Sequence, residues 1–312
     1  MRVVFHYAAG RDLAARLAAL DGLEVAVCPE ADEDHFAALM TEADVLWHVL
    51  KPVTAAVIAA APRLRLIQKI GVGVNTIDLE AARRRNIAVC NLPGTNARAV
   101  AELTLALMLG ALRQVAHFDA ATRAGRGWSL DPEVQDRLGE LGGRTVGLVG
   151  YGAVPRVLAP VLAALGCRIL YTARALKPGA LGDWRSWPAL LAESDVISLH
   201  VPLTAETERM IDAAALAAMR PGAVLVNTAR GGLVDQAALT AALRSGQLAA
   251  AGLDVFALEP VDPADPLLGL PNVVLMPHVG WLTTGTFDRS LTLAADNCRR
   301  LAQGPPLLHH MA

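Results

Sequence analysis

Short apolar runs alternate along nearly the whole chain with stretches in which apolar residues recur every three or four positions. Val3-Val4-Phe5, Val25-Ala26-Val27, Val45-Leu46-Trp47, Leu64 to Ile70 and Ile87-Ala88-Val89 read as strands. The intervening segments 11–20, 33–40, 54–60 and 78–85 read as helices, with Leu13, Leu17 and Leu20 on one face of the first. Pro93-Gly94 interrupts the series, and one long helical pattern then runs from near Asn96 to about Arg123. A loop-rich stretch marked by Gly125, Gly127, Pro132, Gly139, Gly142 and Gly143 follows it. Beyond it, strands at 146–149, 168–171, 195–199, 223–227, 250–255 and 273–276 alternate with helices near 187–192, 212–219 and 235–245. A last helix, about 284–302, has no place in that second alternation and is assigned to the first.

Such alternation predicts parallel sheets with helices on both faces. The expected fold class is α/β with two doubly wound parallel-sheet domains. Residues 1–97 and 285–312 make a flavodoxin-like domain, discontinuous in sequence, and residues 98–284 make a Rossmann domain inserted in it.

One stretch of the second domain carries a chemical signal. The apolar run Val146 to Val149 breaks into Gly150-Tyr151-Gly152, and an apolar-periodic helix follows to Gly166. Strand, glycine turn and helix together point to a dinucleotide site, because glycines let the backbone approach a pyrophosphate and the helix start offers free N–H groups. Pro155 stands where a third glycine is usual, and an ordinary βα turn is the alternative reading. The next strand ends Tyr171-Thr172-Ala173-Arg174 with no acid between Arg168 and Leu181. A carboxylate there would bond a ribose 2′-hydroxyl, whereas an Arg without one suits a 2′-phosphate. Thr172 and Arg174 therefore favour NADP(H), with NAD(H) kept open.

Three more strand ends carry Arg230, Glu259 and His278. Open α/β sheets bind ligands beyond the carboxyl ends of their strands, so the three point to one crevice. Reducing a 2-keto acid needs a cation for the carboxylate, an acid for the carbonyl oxygen and a group that keeps that acid charged. Arg supplies a bidentate fork, His titrates near the working pH, and a carboxylate partner fixes its orientation.

Composition narrows the remaining classes. Length allows two cores, and the 54% apolar share contains few aromatics, as helix-covered sheets require. With 28 basic against 30 acidic residues, nucleic acid and membrane partners are not expected. Cys28, Cys90, Cys167 and Cys298 are scattered, and one His with one Glu leaves no third ligand, so no metal site is expected. Leu103 to Leu112 is too short to span a bilayer and no signal-peptide pattern precedes Val3, so a soluble cytoplasmic protein is expected.

Taken in order, several segments carry a family signature. They include Gly71-Val72-Gly73-Val74-Asn75, Asn91 to Asn96, Ala101-Glu102-Leu103-Thr104 and the glycine turn. His200-Val201-Pro202-Leu203-Thr204, Asn227 to Asp235, Leu253 to Phe256, Glu259-Pro260 and Pro277-His278 complete the set. The chain resembles the D-2-hydroxyacid dehydrogenases, and its Thr172-Ala173-Arg174 ending is similar to that of NADPH-using glyoxylate/hydroxypyruvate reductases. The resemblance implies that Arg230 and the N–H groups of Val72 and Gly73 bind the substrate carboxylate, and that His278 paired with Glu259 is the acid–base. It also implies cofactor contacts from Thr104, Gly150, Gly152, Ala153, Val154, Val201, Pro202, Thr228, Ala229, Asp254, His278 and Gly280, with Thr172 and Arg174 at the adenosine end. A homodimer joined near residues 100–140 follows from the same comparison. Trp281, Trp47 and His48 are candidates to line the pocket, with Trp47 equally readable as core, and Lys69 reads as structural or solvated rather than substrate-binding. Two alternatives stay open: an NAD-linked dehydrogenase of another 2-hydroxy acid, such as 3-phosphoglycerate or an aromatic one, and a dinucleotide-sensing, corepressor-like protein.

Overall fold

The computed structural model describes residues 1–128 and 132–312; part of the loop-rich stretch, 129–131, lies outside the described residues. The chain forms two compact units, Met1–Asn96 with Thr283–Ala312, and Ala97–Leu282.

In the first unit the order is β1 (Arg2–His6), α1 (Arg11–Ala18), β2 (Glu24–Cys28), α2 (Glu33–Met40), β3 (Val45–His48), α3 (Ala55–Ala59), β4 (Leu66–Lys69), α4 (Leu79–Arg84) and β5 (Ala88–Cys90). The strands pair in parallel in the order β2-β1-β3-β4-β5. Helices cover both faces, so β3 and β4 are buried at every position, which explains their unbroken apolar runs. Asp32, Thr54 and Asp78 start the helices α2, α3 and α4 by accepting a backbone N–H three residues on.

The chain's last helix, Thr284–Gln303, packs in this unit and sets Phe287 edge-on to Phe5. Behind it comes an element with no periodic signature. The C-terminal tail pairs antiparallel with β5: Met311 N–H donates to the Val89 carbonyl at 2.7 Å, Val89 N–H to that of Ala312 at 2.7 Å, and Cys90 bridges to His310. Asn297 holds the tail through both backbone groups of Leu308 and reaches the buried Gln68 at 2.7 Å.

The second unit contains α5 (Ala97–Leu112), α6 (Val115–Arg123), α7 (Val134–Arg137), β6 (Thr145–Val149), α8 (Ala153–Ala164), β7 (Arg168–Thr172), β8 (Asp183–Trp184), α9 (Trp187–Glu193), β9 (Val196–Leu199), α10 (Ala213–Ala218), β10 (Ala223–Asn227), α11 (Gln236–Ser245), β11 (Leu248–Leu253) and β12 (Val273–Leu275). The last helix of the chain is therefore α12. Seven parallel strands lie in the order β12-β11-β10-β9-β6-β7-β8. The single long helix expected from Asn96 to Arg123 is in fact two helices bent by 65°. Gln114, in the left-handed region at φ 50°, makes the break, and no Gly or Pro in the sequence marks it. No single helix among the described residues is long and apolar enough to cross a membrane.

The carboxyl ends of β1 and β3 bring two buried histidines into register, His6 beside His48. His6 stacks on Phe36 with centroids 3.7 Å apart, and neither ring nitrogen finds a partner. Burial, then the charge of Lys51, lowers His6 from 6.5 to about 4; burial, then Lys69, lowers His48 to about 3. Both rings are neutral in the folded state, while in the unfolded chain they take up protons once the pH falls below the ordinary value. Their contribution is therefore full above pH 6.5 and is lost as the pH drops toward 4, by about 1.4 kcal/mol per ring per pH unit. Urea midpoints should fall accordingly between about pH 7.5 and about pH 5. His6→Phe, which keeps the stacking, should flatten that fall; an unchanged pH dependence would contradict the assignment.

Candidate active site

The seven-stranded sheet changes direction at β6, which has β7 on one side and β9 on the other. Ligand crevices open at such points, beyond the carboxyl ends of the strands. Gly150 leaves β6 at φ 95°, and a Cβ there would lie 2.7 Å from the His200 carbonyl oxygen, so only glycine fits. Gly152, the N-cap of α8, faces open space: a Cβ would meet nothing within 4 Å. The helix then begins at Ala153 and Val154, whose N–H groups have no intrahelical acceptor. An open cradle with free donors and a positive dipole end fits a pyrophosphate. Pro155 is the third helical residue, where a missing N–H costs no helical bond.

On the β7 side of the turn, Thr172 ends β7 and Arg174 is exposed two residues later. The loop after β9 brings Val201 to the glycine turn, where a Cβ on Gly150 would sit 3.0 Å from Val201 Cγ1. That loop continues through Pro202 to an acid the sequence reading missed. The Glu206 carboxyl lies below the usual carboxylate range, chiefly through the Thr204 hydroxyl, which donates to it at 2.6 Å, and also through the charge of Arg174. An acid on a different strand end thus acts on Arg174 through its charge, without an ion pair between them among the described residues. Reading along the chain from 168 to 181 could not find it, because the two segments are neighbours only through the β7–β6–β9 order of the sheet.

Thr104 of α5 is fully buried and its hydroxyl lies 2.9 Å from that of Thr228. Asn227 clamps the next residues, accepting Ala229 N–H at 3.0 Å and donating to the Arg230 carbonyl at 2.9 Å.

Arg230, Glu259 and His278 stand together in this unit. Gly231 permits it: a Cβ there would lie 1.8 Å from the Phe256 carbonyl oxygen, so the β10 and β11 exit loops can close on each other only over a glycine. Glu259 accepts Phe256 N–H at 2.9 Å through one oxygen and meets His278 Nδ1 at 2.5 Å through the other. Burial alone would raise the Glu259 carboxyl, but the hydrogen bonds from His278 and Phe256 and the charges of His278 and Arg230 outweigh it and hold it below the usual range. Burial lowers Arg230 while Glu259 works against that shift, so the guanidinium keeps its charge.

His278 sits at φ 57°, a conformation a side chain rarely adopts. Asp254 fixes it there by accepting Val279 N–H at 2.8 Å and Gly280 N–H at 2.9 Å. Burial raises the Asp254 carboxyl and those two bonds oppose the rise. Gly280 is needed because a Cβ would come within 2.7 Å of Asp254 Oδ2. Trp281 Nε1–H donates to the His278 carbonyl at 3.1 Å, which closes the turn from the other side.

Not every candidate belongs to this cluster. Val72 and Gly73 lie in the first unit, on the loop after β4. Trp47 and His48 are fully buried within β3, which takes Trp47 out of any pocket lining and into the core. Lys69 is also buried, its ammonium bonded to the Val49 carbonyl. Among the described residues no group of three or more His, Cys, Asp or Glu could hold a metal ion.

Known proteins show the same arrangement of chain. Residues 105–280 match the family described as D-isomer specific 2-hydroxyacid dehydrogenase, NAD binding domain. A glyoxylate reductase of Aeropyrum pernix is 43% identical over 86% of this chain and 83% of its own length. A D-3-phosphoglycerate dehydrogenase of Mycobacterium leprae is 41% identical over 91% of this chain, which spans only 54% of that longer protein. A solved protein from Thermus thermophilus is 39% identical and superposes with a TM-score of 0.90 over all of both chains. The chain belongs to the D-isomer specific 2-hydroxyacid dehydrogenase family, enzymes that transfer hydride between a nicotinamide dinucleotide and 2-hydroxy acids.

Proposed function

We propose that the protein is an NADPH-dependent reductase of a small 2-keto acid, glyoxylate or hydroxypyruvate. The observation that carries this reading is the His278–Glu259 pair at 2.5 Å with Arg230 coupled to the same carboxylate. The name of the Aeropyrum pernix relative, a glyoxylate reductase, supports the substrate class. Arg174, with no acid on β7 beside it, supports the 2′-phosphate. The charge of Glu206, felt by Arg174, and the NAD binding domain named by the matching family bear the other way, toward NADH.

When bound, the reduced dinucleotide supplies hydride to the carbonyl carbon. Arg230 binds the substrate carboxylate and polarises the carbonyl. In the first unit, the N–H groups of Val72 and Gly73 offer donors suited to a substrate carboxylate. His278 donates a proton to the carbonyl oxygen as charge develops there. Glu259 accepts at Nδ1 and so fixes the ring with its other nitrogen toward the substrate. Asp254 keeps the His278 turn rigid and, with Thr228, Ala229 and Gly280, borders the nicotinamide. The same reading makes the protein a cytoplasmic homodimer joined through α5 and α6, where Leu109 and Val115 are exposed apolar residues. Its four cysteines are free thiols, as a reducing compartment requires.

His278→Gln should lower turnover of glyoxylate by about 10²- to 10⁴-fold while NADPH affinity changes little, measured by steady-state kinetics and cofactor fluorescence titration. A near-normal rate would remove His278 as the acid. Glu259→Gln should lower kcat by about tenfold or more with NADPH affinity little changed, since it weakens the acceptor that orients the His278 ring; an unchanged kcat would separate Glu259 from the proton transfer. Arg174→Ala should weaken NADPH binding by about tenfold and leave NADH almost untouched. Glu206→Gln should shift the preference further toward NADPH. Equal effects on the two cofactors would reject both roles.

A further inference from the structure

Two consecutive peptide groups in the loop after β4 are turned the same way, and the cause lies on another element. The Gly71 carbonyl accepts the N–H of Leu92 at 2.8 Å, and the Val72 carbonyl accepts the side-chain amide of Asn91 at 2.9 Å. Both peptides are trans, so each carbonyl and the N–H that follows it point in opposite directions. Tying the two carbonyls to the β5 exit therefore turns the N–H groups of Val72 and Gly73 away from it, side by side. In a regular strand successive N–H groups would alternate, and the pair could not converge. Neither N–H donates to any group among the described residues, and Val72 is 42% exposed. Two adjacent donors turned the same way suit an anion, as consecutive backbone amides do. Gly71 contributes the chain reversal at φ 151°.

We propose that Asn91 is a positioning residue for the substrate carboxylate: its amide orients the Val72–Gly73 peptide and so builds the second of the two donors. The inference rests on the reading above, in which these N–H groups hold the carboxylate. The chemistry of the side chain is what makes Asn necessary. Only a side-chain donor can reach the Val72 carbonyl from this position, because the backbone N–H of Asn91 is already spent on the His309 carbonyl at 3.2 Å. Asn91 is 7% exposed and its place is held from behind by the C-terminal tail through the Cys90–His310 bridge. The tail thus reaches the substrate loop through one buried amide. An aspartate would keep the shape and turn the donor into an acceptor facing a carbonyl oxygen, so the peptide would swing and the donor pair would be lost.

The test uses the full chain with saturating NADPH and compares glyoxylate with methyl glyoxylate, which keeps the carbonyl and lacks the carboxylate charge. Asn91→Asp and Asn91→Ala should raise the KM for glyoxylate by about tenfold or more with kcat changed by less than about threefold. The dissociation constant of oxamate, a non-reducible carboxylate, should rise in step, while that of NADPH stays within about twofold. The preference for the acid over its ester should shrink by the same factor. Equal losses on acid and ester, or losses that follow a fall in melting temperature and include NADPH binding, would overturn the positioning role in favour of a merely structural one. Unchanged kinetics in both variants would overturn it outright. A wild-type protein that reduces neither compound, nor any other small 2-keto acid, would remove the proposed function and this inference with it.

Discussion

A histidine held at a positive φ is under strain of the order of 1 kcal/mol or more, and the catalytic arrangement depends on that strain being sustained. Asp254 sustains it. Its two oxygens bind the two N–H groups that follow His278, so the backbone cannot relax without breaking both. The ring is then delivered to Glu259 at 2.5 Å, and Glu259 is itself pinned by the Phe256 N–H. Glu259 and His278 are thus each held by a partner that is itself fixed, which keeps both side chains in one orientation.

Glycine does a different job at the same strand ends. Gly231 lets the β10 and β11 loops touch, and Gly150 lets β6 turn against the His200 carbonyl. In both places a single methylene would collide with a backbone oxygen, so the geometry is set by the absence of a side chain. Gly152 differs: among the described residues nothing comes within 4 Å of where its Cβ would lie. The first unit orients backbone donors by another route, tying carbonyls down so that the opposite N–H groups face out.

Much of this was legible in the sequence because parallel sheets impose a readable rule. Buried strands show as apolar runs, and Arg230, Glu259 and His278 fall just after such runs, so they could be singled out before their distances were known. What escaped the sequence is contact between residues far apart along it. The charge of Glu206 reaches Arg174 only through strand order, Asn91 meets Val72 across two strand exits, and the tail pairs with β5 without any alternation of its own. The bend at Gln114 escaped for a local reason: the apolar period continues through it, and a left-handed Gln has no compositional mark. Trp47 shows the converse limit, since an aromatic at a strand end looks like a pocket residue until its burial is known.

Everything proposed for the site turns on hydride passing from a nicotinamide to the carbonyl carbon of a 2-keto acid while His278 delivers the proton. Reduction of glyoxylate with NADPH deuterated at the transferable C4 position tests it most directly, with the product followed by NMR and the rate compared with that of unlabelled cofactor. Deuterium is expected at C2 of the hydroxy acid, together with a slower transfer in single turnover. Product without deuterium, or no product under any condition in which the protein binds the cofactor, would contradict it.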